Sequence, residues 1–197
     1  MNQLEFLSGK YKEYSYILGV YLGDGCIDRY PRTFKMRIFL DKKYQELNNL
    51  VIDSLKFIFP KNKVSVLNHT NHLTISVYNK NMDILFPHLG NGKKHNRKIV
   101  LLEWQNRIID PIQTLKGLFH SDGCYYTEYV NGYKYERFDF TNKSSDIQKI
   151  FCNYCDDIGI SYKTRLSKTG LIKTRICKKK DVLKFKNIIG TKQIVLK

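Results

Sequence analysis

The sequence predicts an α+β protein built from two copies of one unit, ordered helix, strand pair, helix, strand pair, short helix. A nine-residue pattern appears twice, at residues 17–25 (ILGVYLGDG) and 115–123 (LKGLFHSDG). Each copy is apolar, with Gly third, a small residue seventh and Asp-Gly last. The stretches that follow also match. RIFLDKKYQEL from Arg37 aligns with RFDFTNKSSDI from Arg137 at an offset of one hundred, pairing Arg37 with Arg137, Lys43 with Lys143 and Leu47 with Ile147. Further on, Asp83 pairs with Asp181, and each half closes on Gly and Lys: Gly90 and Lys93, then Gly190 and Lys192. Finally, the same alternation and helical periodicity recur in both halves. The halves are placed at residues 1–105 and 106–197. With no low-complexity linker between them, they are expected to pack as one rigid monomer.

In the first half, residues 14–23 form the motif helix. Residues 34–40 alternate, with Phe34, Met36, Ile38 and Leu40 on one face and Lys35, Arg37 and Phe39 on the other. Residues 44–57 read as an amphipathic helix stopped by Pro60. Residues 64–67 and 73–78 form a hairpin, with Leu73, Ile75 and Val77 inward and Thr74 and Ser76 outward. A short helix over 81–89 ends the half. Residues 101–109 are helical, and Asp110-Pro111 starts the second motif helix. Then 133–140 is extended, 145–158 helical, and 162–166 and 171–176 form a hairpin. There Lys163, Arg165, Lys173 and Arg175 share one face.

The chain carries 34 Lys and Arg against 18 Asp and Glu, a net charge of +16. Both halves are basic: 17 basic and 10 acidic residues through Asp110, then 17 and 8. This balance points to a polyanionic partner. No apolar stretch is long enough to span a membrane. Five cysteines, mostly unpaired in spacing, fit a reducing intracellular compartment. Cys152 and Cys155 lie within a helical pattern and lack a second ligand pair, so they read as core or helix-face thiols.

Gly19 and Gly23 are four apart, as are Gly117 and Ser121, which lets two helices approach closely and brings Asp24 and Asp122 together. An aspartate at a helix C-terminus opposes the macrodipole by about 0.3–1 kcal/mol. Two neighbouring carboxylates also repel. A divalent cation between them would give this arrangement a purpose.

These residues resemble the two motifs of a single-chain, free-standing LAGLIDADG homing endonuclease, and the likeness extends over nearly the whole chain. The resemblance implies αββαββα units related by a pseudo-twofold axis, motif helices at their interface, and antiparallel sheets forming a saddle over the DNA major groove. It implies a site-specific, metal-dependent double-strand endonuclease cutting a long, imperfectly palindromic site, with Mg²⁺ as cofactor and Mn²⁺ able to substitute. Asp24 and Asp122 would bind the metal, with the carbonyls of Gly23 and Ser121 as further ligands. Lys43 and Lys143 would stand near the scissile phosphates, and Lys94 and Lys98 would contact phosphate. The outward strand residues Lys35, Arg37, Thr74, Ser76, Arg137, Asp139, Lys163, Arg165, Lys173 and Arg175 would meet bases, Asp139 by accepting from cytosine. The chain departs from the motif at its sixth position, with Leu22 and His120; His120 reads as an interface residue. Two alternatives share the scaffold: a non-cleaving DNA-binding regulator, and a maturase acting on intron RNA.

Overall fold

The computed structural model describes residues 2–90 and 93–192. A first helix, α1 (Gln3–Leu7), is capped by Asn2, whose side chain accepts from the Leu4 amide. The motif helix α2 (Tyr11–Asp24) follows, buried at every position from Tyr14 to Leu22. A helix apolar on all sides belongs in a core. The unit continues with β1 (Gly25–Tyr30), β2 (Thr33–Asp41), α3 (Gln45–Ile58), β3 (Val64–Asn68), β4 (His72–Asn79) and α4 (Met82–Leu85). A connector carries a 3-10 turn at Lys94–Asn96 and α5 (Glu103–Ile108). The second unit is α6 (Pro111–Asp122), β5 (Gly123–Val130), β6 (Tyr133–Asn142), α7 (Ser145–Asp157), β7 (Lys163–Leu166), β8 (Ile172–Ile176) and α8 (Lys179–Ile189). As expected, Asp110 caps α6 by accepting from the Gln113 amide, with Pro111 in its first turn.

Each unit folds into a four-stranded antiparallel sheet of the same order, β1-β2-β4-β3 and β5-β6-β8-β7. Met36, Ile38, Leu40, Ile75 and Val77 line the inner face of the first sheet, and Phe138, Phe140 and Ile176 that of the second. The short final helix expected over 81–89 stops at Leu85. Phe86 precedes Pro87, and a residue before proline is pushed out of the helical region.

The registers correct one sequence pairing. Gly25 faces Ile38 and Cys26 faces Arg37, whereas Gly123 faces Phe140 and Cys124 faces Asp139. Because both motifs run directly into these strands, Arg37 corresponds to Asp139, not to Arg137. The β5–β6 hairpin is two residue pairs longer, turning at Asn131 and Gly132, both at positive φ. The offset of one hundred holds again in the following helices, where Leu47 and Ile147 are both buried.

The units meet at α2 and α6. A Cβ at Gly19 would lie 2.3 Å from the Thr114 carbonyl oxygen, and one at Gly117 would lie 2.2 Å from that of Tyr16. The backbones therefore touch at this crossing, as the small-residue spacing implies. Tyr16 Oη and His120 Nδ1, 3.0 Å apart, join the helices across it, and both side chains are buried.

Candidate active site

From the crossing both helices run toward one end, where each stops at its aspartate. A Cβ at Gly23 would stand 2.0 Å from Ser121 Oγ and 2.9 Å from Asp122 Oδ2. Asp122 is thus packed against the residue preceding Asp24. Burial and the charge of Asp122 push the Asp24 carboxyl up to about 6. Burial also raises Asp122, opposed by the 2.7 Å hydrogen bond it accepts from Asn142 Nδ2 and by Lys94 and Lys192.

Two lysines answer this negative charge. Lys94 Nζ donates to the carbonyls of Tyr21 (2.5 Å), Gly25 (2.5 Å) and Gly23 (3.3 Å), closing the C-terminus of α2. Lys192 Nζ donates to the Ser121 carbonyl at 2.8 Å, doing the same for α6. A cation at a helix C-terminus offsets the macrodipole that the aspartates oppose. Burial lowers Lys94 to about 8, held up by Asp122 and Asp24, and lowers Lys192 against the same two carboxylates.

By its sequence Lys94 reads as a phosphate contact, and Lys192 carries no site role. A signal was available. Lys94 and Lys192 each follow their motif aspartate by 70 residues (94 − 24 and 192 − 122), and they share the motif offset of 98 (192 − 94). Of the lysines expected at the scissile phosphates, Lys143 lines a cavity of about 400 Å³ together with Asp122, Gly23 and Lys94. Lys43 instead pairs with Asp41 at 2.9 Å and lies over the Tyr44 ring. Its charge helps lower Lys192. Lys98 is exposed on the connector. Asn91 and Gly92 of the same loop lie outside the described residues.

On the outer sheet faces, Lys35, Lys163, Arg165, Lys173, Arg137 and Arg175 are exposed or half-buried. Lys163 pairs in register with Arg175, and Arg165 with Lys173, giving a basic cluster on one face. Arg37 Nη2 lies 2.6 Å from Asp28 Oδ2, and Arg137 Nε lies 3.3 Å from Glu128. Three expected base contacts are not open. Thr74 and Ser76 are 9% and 8% exposed on a central strand, and Asp139, at 5%, is enclosed by basic partners. His120 is buried, and burial pushes it down to about 3, so its imidazole is neutral. Among the described residues no helix is long and apolar enough to cross a membrane.

No protein-family model and no curated protein matches this sequence. Solved structures do. The homing endonuclease I-DmoI in complex with DNA and Mn superposes with a TM-score of 0.65 at 15% identity, over 94% of this chain and 99% of that one. The LAGLIDADG meganuclease I-AabMI bound to uncleaved DNA gives 0.59 at 14% identity, over 92% and 84%. The N-terminal LAGLIDADG domain of DUF199/WhiA gives 0.60 at 16%, over 93% and 85%. The chain has the LAGLIDADG fold. Within that fold, Asp24 and Asp122 occupy the ends of the two paired motif helices.

The donors suit a hard divalent cation. Two carboxylates, both raised by burial and Asp24 also by the charge of Asp122, stand beside carbonyl oxygens. The Gly23 and Ser121 carbonyls already accept from lysine, but each oxygen has a second lone pair. Among the described residues no group of three or more His, Cys, Asp or Glu side chains is placed to hold a metal.

Proposed function

We propose that this protein is a divalent-metal-dependent endonuclease that cuts duplex DNA at a specific, imperfectly palindromic site. The observation that carries this reading is the pair of half-buried aspartates at the adjoining ends of α2 and α6, each beside a half-buried lysine. Such pairing holds negative charge at a cost, in a basic protein whose second sheet carries a cationic cluster on its outer face. The solved relatives bound to DNA, and those crystallised with Mn, Mg or Ca, support the same reading.

Asp24 and Asp122 would hold Mg²⁺ or Mn²⁺, with the Gly23 and Ser121 carbonyls as further donors and DNA phosphate oxygens completing the shell. When bound, the ion would supply an activated nucleophile and stabilisation of the leaving oxygen. The residues then divide the work. The aspartates position the reacting groups between the two strands. Lys94 and Lys192, which stand beside them, offset the charge that develops on the phosphate. Lys143 adds positive charge from the cavity wall, and Lys43, paired with Asp41, contributes less. Residues 1–105 and 106–197 each contact one half of the target, and the strand lysines and arginines bind phosphates and bases, so the target halves differ as the sheet faces do.

Asp24→Asn and Asp122→Asn test the assignment. Each should lower cleavage by orders of magnitude while duplex binding in Ca²⁺ persists or tightens. Cleavage retained in both variants would remove the aspartates from the chemistry.

A further inference from the structure

We propose that Asp139 is a positioning residue for base recognition, clamping Arg175 so that the free edge of its guanidinium reads a guanine in one half of the target only. The inference rests on the DNA-binding reading above. Arg175 Nε donates to Asp139 Oδ1 at 2.8 Å, and Nη2 donates to Oδ2 at 3.1 Å. Tyr126 Oη donates to Oδ2 at 3.0 Å, and Lys173 Nζ lies 3.5 Å from the same oxygen. The guanidinium lies 5.8 Å from the centre of the Tyr126 ring. A carboxylate offers about four acceptor sites. Here three hydrogen bonds and a neighbouring ammonium engage it and the residue is 5% exposed, so it is committed to its protein partners and closed to a cytosine amino group.

The arginine has capacity to spare. A guanidinium carries five N–H donors; the clamp takes the Nε hydrogen and one Nη2 hydrogen. What remains is the Nη1–Nη2 edge, whose two parallel hydrogens match O6 and N7 of guanine. Two ionic hydrogen bonds and an aromatic neighbour restrict the rotamers this long side chain would otherwise sample, so little order is lost when the base arrives.

The first sheet lacks the device. By register, Arg37 stands where Asp139 does, Ser76 where Arg175 does, Thr74 where Lys173 does and Asp28 where Tyr126 does. The charges are inverted: the arginine is on β2 and its acid on β1, joined by one contact of 2.6 Å. Arginine-reading positions therefore fall on different strands in the two halves, and the target should break its palindrome there.

The experiment is selection of bound duplexes from a randomised library in Ca²⁺, followed by sequencing, with wild type, Arg175→Ala, Asp139→Asn and the double variant. Wild type should show one strong guanine in the half contacted by the second sheet. Arg175→Ala should lower that preference on the order of tenfold to a hundredfold. Asp139→Asn should broaden the same position, leave the others, and leave total affinity equal or higher. The double variant should be no broader than Arg175→Ala. Should Asp139→Asn fail to fold, Asp139→Glu, which keeps the charge and shifts it by one methylene, should still weaken the preference. A guanine preference indifferent to Asp139, or a cytosine preference lost only in the double variant, overturns the clamp and leaves the DNA reading standing. A wild type that selects no sequence overturns both.

Discussion

Gly19→Ala tests the contact between the two units, because its sign here is opposite to that expected of an ordinary helix. In an exposed helix this change stabilises by about 1 kcal/mol. Here the new Cβ would meet the Thr114 carbonyl oxygen at 2.3 Å, the Leu118 amide nitrogen at 2.8 Å and the Gly117 carbonyl carbon at 3.0 Å. All three are backbone atoms, so no side chain can turn aside. An ordinary C···O contact begins at about 3.3 Å, so α2 and α6 must part by about 1 Å at the crossing. A gap of that size forfeits about a quarter to a half of each dispersion contact along the interface. Overpacking typically costs about 1–3 kcal/mol, more against rigid backbone, so we expect a net loss of about 2–4 kcal/mol after the helix gain. In a chain of this length that lowers Tm by about 5–15 °C. The displacement also reaches Asp24 and Asp122, and a shift of about 1 Å costs about a hundredfold in rate. Gly117→Ala should behave alike, and the pair should cost less than the sum because one separation relieves both clashes. Urea denaturation in chelator reads the result, with Lys149→Ala on the exposed face of α7 as a control near zero. An unchanged or raised stability in Gly19→Ala would mean that the helices are not in backbone contact.

Other changes probe the site's electrostatics. Asp24 titrates near 6 when folded, against 3.8 ordinarily, so the folded state holds its proton more tightly. The resulting penalty is absent below pH 4 and complete above pH 6; in chelator, Asp24→Asn should therefore stabilise by about 2–3 kcal/mol at pH 7 and by nothing at pH 4. Burial lowers His88 to about 4 and His120 to about 3. Their contribution is fully present above pH 6.5 and lost as pH falls, about 2 kcal/mol each at pH 5; His88→Gln and His120→Gln should flatten the acid limb of urea midpoint against pH. Lys94→Met should destabilise by about 1–3 kcal/mol, since it strips donors from three carbonyls. Lys94→Met and Lys192→Met should each slow cleavage more than Lys43→Met does, as measured by single-turnover cutting of a labelled duplex.

The motif helices were legible because their signals are local: small residues four apart, and Asp-Pro at the start of α6, where cap and first-turn chemistry act within three residues. The inward faces of β2 and β4 were legible through strict alternation. Pairing between the halves was less so. RIFLDKKYQEL and RFDFTNKSSDI look alike, but hairpin register is set by turn geometry, and the longer β5–β6 hairpin moved Asp139 opposite Cys124. A match of residue types could not reveal two added pairs. Lys192 was hidden differently. Its part depends on a side chain returning 71 residues along the chain to the Ser121 carbonyl, and only its equal spacing with Lys94 hints at this. Asp139 read as a free acid because nothing in one strand shows that Arg175 and Lys173 lie on the neighbouring strand beside it.

The most direct test of the central claim is cleavage of a randomised duplex library in Mg²⁺ with sequencing of the cut ends, run on wild type and Asp24→Asn. We expect wild type to return one long, asymmetric site cut on both strands, and Asp24→Asn to bind that site in Ca²⁺ without cutting it. A wild-type protein that binds a defined duplex tightly yet leaves it intact in both Mg²⁺ and Mn²⁺ would contradict the nuclease account and make the protein a DNA-binding regulator on this scaffold.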